Sequence, residues 1–364
     1  MGECPYFDRG ECSSCAGLKL AQEEERRSKE KIVNSSLPLI SAPTRLGRRF
    51  RAKWVASHDE FGIRLGHINH DKKFQAIEAC PQHCNLIQKV TASLPELFLR
   101  HRIPNYEITS GKGELKLVLM SSNWSESELM VRFVCRSKES KERLLKLALE
   151  LKEKHPEVVT ASMNIQPVAM AALEGREEII LIGEGEVSEQ LAGVNLYYGP
   201  KSFTQVNPWV ADKLYARARE VADELGSRKI LDLYCGVGGF SHAIANASRD
   251  VLGIEISSDA VLLAKKGGEG HAHFEVGDLA AAFENTGDFD LIVVNPPRRG
   301  LDAETIRFLT TKKAPALLYS SCNPETLARD IEQLKEHYAL DWQQGFDMFP
   351  GTEHLEILAL LKLR

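Results

Sequence analysis

The sequence predicts an α/β protein whose C-terminal half is a doubly wound, Rossmann-like parallel sheet. Three observations carry that expectation. From Lys229 to the end of the chain, short apolar runs alternate with helix-period segments, the pattern of parallel strands joined by crossover helices. The first of these runs, Ile230-Leu231-Asp232-Leu233, passes directly into a glycine turn, Cys235-Gly236-Val237-Gly238-Gly239, and then into a helix. The later runs end in small, polar or proline residues. Asp250 to Ile256 carries Glu255 at its end, Leu291 to Val294 stops at Asn295-Pro296-Pro297-Arg298-Arg299-Gly300, and Ala316 to Tyr319 stops at Ser320-Ser321-Cys322-Asn323-Pro324. Polar residues just past parallel strands collect at the carboxyl edge of the sheet, where ligands bind.

A chain of 364 residues exceeds one ordinary core, so two or three domains are expected. They are expected at residues 1–85, 86–190 and 191–364. No apolar run is long enough to span a bilayer, and the N-terminus lacks a basic-then-apolar leader. The expected compartment is the cytoplasm, with no membrane partner. There, eight cysteines point to metal ligation or catalysis rather than disulfides. The net charge of −5 advertises no nucleic acid, so any RNA site is a local patch.

In the first segment, Cys4, Cys12 and Cys15 lie within twelve residues, the last two as Cys-x-x-Cys. That spacing lets two thiolates reach one centre from a single turn. Cys80 and Cys84 are the candidates for a fourth ligand. Zinc and an iron–sulfur cluster both suit four thiolates. A redox Cys-x-x-Cys would precede a helix in a βαβ unit, and none is evident. Residues 18–36 are charge-dense and helix-favouring, and read as a solvated linker helix. Arg45 to Trp54 alternates five cations with Phe50 and Trp54, a composition suited to phosphate contact and base stacking; the alternative is a charged edge strand.

The middle segment reads as α+β. Leu115–Met120, Leu129–Val134, 158–168 and Ile179–Ile182 have strand character, and Glu142–Lys154 carries Leu144, Leu145, Ala148 and Leu151 on one helical face. No active-site motif stands in it, which suggests a substrate-positioning module. In the third segment Asn207-Pro208 starts a helix and Gly226 ends it.

A glycine turn after one strand and an acid ending the next mark a nucleoside cofactor, the carboxylate accepting from ribose hydroxyls. Glu255 follows Asp232 by 23 residues, near the usual interval of about 20. A dinucleotide turn asks for a third glycine where Ser241 stands. Asp232, an acid within the first strand, suits a cofactor with a cationic amino group and no phosphate, which describes S-adenosylmethionine. Asp278 in the triplet 277–279 is a candidate adenine contact, or a turn residue.

Cys322 reads either as a small buried hydrophobe or as a nucleophile at the ligand edge. With a methyl donor, the second reading has a definite chemistry. Carbon 5 of a pyrimidine accepts a methyl cation once a thiolate has added to carbon 6, and a base must then take the proton from carbon 5. The target base has to be unstacked, hence a single-stranded or loop RNA. Glu356, just before the apolar run Ile357 to Leu361, is an available base; a surface carboxylate at a strand start is the alternative.

Cys235–Gly239, Asn295–Gly300, Ser320-Ser321-Cys322-Asn323 and His354-Leu355-Glu356, with Gly113–Lys116 and Asn164–Pro167, together resemble the RNA uracil-C5 methyltransferases. The chain begins with the cysteine cluster and shows no β-barrel domain ahead of it, which resembles the branch acting on 23S ribosomal RNA. The resemblance implies a class I methyltransferase domain at the C-terminus and a [4Fe-4S] cluster held by Cys4, Cys12, Cys15 and Cys80, with Cys80 preferred to Cys84 because Cys-Pro matches the family's fourth ligand. It implies S-adenosylmethionine at Gln205, Tyr234, Glu255 and Asn295, Cys322 as nucleophile and Glu356 as base. Residues 1–85 become the iron–sulfur and RNA-contact segment, 86–190 the substrate-positioning domain, and the partner a monomer's 23S ribosomal RNA rather than DNA. A tRNA-modifying relative, a nicotinamide-linked oxidoreductase, a non-catalytic iron–sulfur RNA-binding protein and an amino-methyltransferase are the alternatives.

Overall fold

The computed structural model describes residues 3–60, 62–69, 71, 73–77, 79–168, 174–268, 270–278 and 288–364. The chain forms two compact units. One comprises Met1–Leu18 with Thr44–Ser188, and the other Lys19–Pro43 with Glu189–Arg364. This differs from the three-part division expected from the sequence: residues 44–85 share one sheet and one core with 86–188, and residues 19–43 join the second unit. Val33 and Leu39 enter the core of the second unit, and Ile40–Ser41 adds a short parallel strand beside Tyr338–Asp347.

The first unit is built on seven strands in the order Phe74–Ala76, Gly62–Ile68, Arg51–Asp59, Leu115–Ser122, Leu129–Cys135, Val158–Ile165, Glu177–Ile182. All neighbours are antiparallel except Leu129–Cys135 and Val158–Ile165. That parallel pair needs a crossover, supplied by the helix Lys141–Lys154. Leu144, Leu147 and Leu151 from this helix, and Val90, Leu94 and Phe98 from the helix Asn85–Arg100, pack with Trp54 and Phe133 in one core. The α+β expectation for this region matches these elements.

The basic stretch behaves otherwise than expected. Phe50 is buried and Trp54 is withdrawn completely, its Nε1 donating to Thr91 Oγ1 at 3.2 Å. Neither ring is presented for base stacking. Nor is Arg51–Asp59 an edge strand, since it pairs on both sides. The alternation of cations and aromatics is the in–out period of an internal strand with one buried face.

The second unit carries an eight-stranded sheet, in the order Ile40–Ser41, Tyr338–Asp347, Glu356–Leu363, Ala316–Ser321, Leu291–Val294, Lys229–Leu233, Asp250–Glu255, Ala272–Val276. The last five are mutually parallel, as the alternating pattern requires. Their strands Leu291–Val294 and Ala316–Ser321 are buried at every residue, which is why they read as continuous apolar runs. Glu356–Leu363 runs antiparallel to both of its neighbours, so the sheet is mixed. No helix among the described residues is long and apolar enough to cross a membrane.

Candidate active site

At the carboxyl edge of the second unit's sheet, two turns are laced together. Cys322 follows Ala316–Ser321 directly, and Asn323 caps the helix Pro324–Leu334 by accepting from Glu325 N at 3.1 Å. The same Asn323 donates through Nδ2 to Arg298 O at 3.2 Å. Asp330, fully buried, accepts from Tyr319 Oη at 2.7 Å and from Leu301 N at 2.8 Å. The turn Asn295–Gly300 and the turn holding Cys322 are therefore fixed to one another. The antiparallel register pairs Ser321 with Ile357, and one further step sets Glu356 beside Cys322.

The electrostatics of this pair are unusual. Glu356 is 2 % exposed, and among the described residues its carboxylate accepts one hydrogen bond, from Ser320 Oγ, 2.6 Å from Oε1. Burial pushes its carboxyl up to about 7, against the smaller opposing effect of Ser320. Burial also pushes the half-buried Cys322 thiol up; Glu356 adds to the shift and Arg298 opposes it. A thiol, a carboxyl near neutrality and a guanidinium thus share one pocket of charge, the kind of grouping found where protons are moved.

The cofactor candidates line the neighbouring strand ends. Lys229–Leu233 leads into Tyr234, whose φ of 62° is left-handed, a conformation an ordinary side chain holds only when its surroundings enforce it. Its hydroxyl lies 2.7 Å from Thr305 Oγ1. Gly238 has φ +83°, and a Cβ there would meet the Phe274 ring at 2.7 Å. Glu255, at the end of the adjacent strand, accepts from Gly236 N at 3.1 Å and Ser257 N at 2.9 Å. Asn295 follows Leu291–Val294, and Gln205 stands two residues before Asn207, the N-cap of the helix Pro208–Glu224. Ser241, in the place of the third glycine, donates to Asp232 Oδ2 through both N and Oγ, at 3.0 and 2.6 Å. The other oxygen, Asp232 Oδ1, is buried with no hydrogen-bond partner among the described residues, and burial holds this carboxyl up at about 7. A cationic amino group would satisfy that oxygen, which is what S-adenosylmethionine carries. Asp278 is described, while Leu279 of the same triplet lies outside the described residues.

In the first unit, Ala79 N donates to Tyr6 Oη at 3.0 Å, drawing the Cys80 turn to the N-terminal segment. Burial pushes Cys15 up, with Cys12 and Cys4 adding to the shift and Arg49 opposing it. Cys80 is pushed to about 11 by burial, and feels Cys15, Cys12 and Arg49. Cys84 is raised to about 12 by burial, but its other neighbours are Ile87, Glu126, Ser122 and Leu86; it heads the helix Asn85–Arg100. Cys4, Cys12, Cys15 and Cys80 share a neighbourhood that Cys84 does not. Among the described residues, no three His, Cys, Asp or Glu side chains converge as ligands of a metal ion.

Two contributors were not singled out from the sequence. Ser320 shares a strand face with Cys322 by the period of two, a signal that could have found it. Tyr215, in the middle of the helix Pro208–Glu224, is buried and held protonated by desolvation, with Asp232 and Glu356 as its acidic neighbours. Nothing local marks it, because its partners come from distant strands.

The chain is similar to known proteins along most of its length. The family model described as tRNA (uracil-5-)-methyltransferase matches residues 126–273 and 281–364. The 23S rRNA (uracil(747)-C(5))-methyltransferase RlmC of Shewanella amazonensis is 37 % identical over 98 % of this chain and 97 % of its own length. The enzyme of the same name from Vibrio vulnificus is 37 % identical over 98 % and 99 %. A crystal structure of Pyrococcus abyssi tRNA (uracil-54, C5)-methyltransferase with S-adenosyl-L-homocysteine is similar at a TM-score of 0.77 and 25 % identity, covering 95 % of this chain and 85 % of that one. With a nucleoside-type turn, a strand-end cysteine and a buried glutamate beside it, and with full-length relatives above a third identical, the chain belongs to the RNA uracil-C5 methyltransferase family.

Proposed function

We propose that the protein transfers a methyl group from S-adenosylmethionine to carbon 5 of a uridine in 23S ribosomal RNA, through a covalent bond between Cys322 and carbon 6. The observation that carries this reading is the pair at the sheet edge, a half-buried thiol beside a buried carboxyl whose pKa is held at about 7. The family model and the archaeal structure are named for tRNA. The curated relatives named for 23S rRNA match at higher identity over nearly the whole chain, and they favour the ribosomal substrate.

S-Adenosylmethionine supplies the electrophilic methyl group. Glu255 is suited to its ribose hydroxyls and Asp232 to its ammonium, with Gln205, Tyr234 and Asn295 completing the pocket. The Cys322 thiolate adds to carbon 6, and the electrons of the 5,6 double bond move toward the carbonyl at carbon 4. Arg298 is the cation at hand to favour that thiolate. Carbon 5 takes the methyl group and still carries its proton. The Glu356 carboxylate takes that proton, the double bond re-forms, and the thiolate leaves. A base with a pKa near the working pH serves best for such a step. The target must leave the stack to present carbon 6, so the uridine is proposed to lie in a loop or single strand, met by a cytoplasmic monomer.

Cys4, Cys12, Cys15 and Cys80 are proposed to hold a [4Fe-4S] cluster. Each cysteine of such a cluster binds its own iron, so the four thiolates surround the cluster instead of meeting at one ion. The cluster would tie the N-terminal segment to the Cys80 turn.

The test separates the two catalytic groups by time. Cys322→Ala gives no methylated RNA and no covalent species. Glu356→Gln still attacks and transfers, then stalls as a protein–RNA adduct that survives denaturing electrophoresis and carries label from methyl-labelled cofactor. Normal turnover by Glu356→Gln would falsify the base assignment.

A further inference from the structure

The helix Gln22–Val33, which reads as solvated, turns a charged face inward. Glu25, Lys29 and Val33, four residues apart, are its buried residues. Lys29 is 1 % exposed. Its ammonium donates to Glu25 Oε1 at 2.7 Å, Asp347 Oδ1 at 2.6 Å and Phe349 O at 3.2 Å, so each of its three protons has an acceptor. Glu25 Oε1 also accepts from Gly351 N at 2.8 Å. Replacing such a buried triad by apolar groups of the same volume is often neutral or stabilising. What the triad offers is a fixed direction and length.

That direction bears on Glu356. The turn joining Tyr338–Asp347 to Glu356–Leu363 is held by the triad at the Asp347 carboxylate, the Phe349 carbonyl and the Gly351 amide. Within the turn, Thr352 Oγ1 donates to Phe349 O at 2.8 Å and accepts from His354 N at 3.2 Å, two residues before Glu356. Phe346, beside Asp347, is the register partner of Glu356. Since the carboxylate accepts a single hydrogen bond among the described residues, from Ser320, its aim at Cys322 depends on where the turn starts the strand. We infer that Lys29, bonded to Glu25 and Asp347, is a positioning residue that sets Glu356 for the proton-removal step. This inference rests on the assignment of Glu356 as that base.

The experiment follows two steps separately, formation and release of the labelled protein–RNA adduct, in wild type, Lys29→Met and Glu356→Gln. Lys29→Met forms the adduct at the wild-type rate per folded molecule and releases it roughly 10–100-fold more slowly, the scale of a misplacement near 1 Å. A merely structural role lowers the yield of folded enzyme and leaves both formation and release per folded molecule at their wild-type rates. Glu25→Gln keeps an acceptor for Gly351 while weakening the hold on Lys29, and slows release by less. It also serves as the readout if Lys29→Met does not fold. Unchanged adduct lifetime in both triad variants, with adduct trapped by Glu356→Gln, overturns this inference alone. No trapping by Glu356→Gln overturns the base assignment, and this inference with it.

Discussion

Glu178 and Glu356 are both glutamates largely withdrawn from water, one in each compact unit, and they end in opposite electrostatic states. Burial pushes Glu178 up, but Arg132, Ser162 and Asn164 together outweigh it, and its carboxyl rests below the usual range. Arg132 meets it through both Nε and Nη2, at 3.0 and 2.8 Å. Ser162 Oγ and Asn164 Nδ2 complete the set at 2.5 and 2.7 Å. Glu356 is more deeply buried, accepts a single bond among the described residues, from Ser320, and rests near 7. The difference teaches that burial alone does not mark a reactive carboxylate. A buried acid with a full set of donors is locked in its charged form and serves the fold. A buried acid with few donors is left able to exchange a proton near neutral pH.

The sharpest way to break this comparison is to substitute glutamine at both sites. Glu356→Gln is expected to lower turnover by roughly 10²–10⁴-fold, measured as methyl incorporation per folded enzyme, while Glu178→Gln leaves that rate unchanged. Stability moves in the other sense. Glu178→Gln loses about 1.5–3 kcal/mol at pH 7 by denaturant unfolding. A depressed carboxylate stabilises above its unfolded pKa, so this loss shrinks as pH falls through the folded value. Glu356 has the reverse sign. Its folded pKa of about 7 lies above the unfolded value, so its stabilisation is full at low pH and declines as pH rises through about 7. Glu356→Gln, which cannot ionise, should therefore be more stable than wild type at pH 8, by on the order of 2–3 kcal/mol, with little difference near pH 4. A uniform loss of stability at all pH values would show that the carboxyl is not held near neutrality. By the same sign, adduct release in wild type should quicken as pH rises through about 7, and Glu356→Gln should lack that rise.

A second contrast lies between Glu255 and these two. It accepts from one backbone amide of the glycine turn, Gly236 N, and from Ser257 N just past its own strand, so removing it touches the strand-end turns and leaves the sheet pairing intact. Glu255→Ala should weaken S-adenosylmethionine binding by about 1–3 kcal/mol in calorimetry. Unchanged affinity would mean that the ribose is held elsewhere.

The smallest expected effect sharpens the same lesson with cysteines. Cys80 and Cys84 are four residues apart and both buried enough to raise their thiols, yet they face different neighbours. Cys80→Ser should lose iron and labile sulfide from protein purified without oxygen. Cys84→Ser should keep both, because its surroundings are Ser122, Glu126 and the head of a helix. Iron lost equally from both variants would void the distinction.

The order of elements in the second unit, the glycine turn, and the placement of Cys322 and Glu356 beside strand ends are legible in the sequence. These are local features. A strand's period, a turn's glycines and a cap's side chain act within a few residues of themselves, so they can be read in a line of text. Only the tertiary structure decided where charge is buried. Lys29 meets Asp347 318 residues away, and the same Glu-Lys spacing along Gln22–Val33 that reads as a solvated face is, in the fold, a brace inside the second unit. Trp54 and Phe50 likewise read as presented rings and are core, because they pack in one cluster with side chains from the helices Asn85–Arg100 and Lys141–Lys154. The pKa of Glu356 belongs to the same class. It is set by desolvation, and desolvation depends on how many distant atoms close around a group rather than on the residues beside it in the chain.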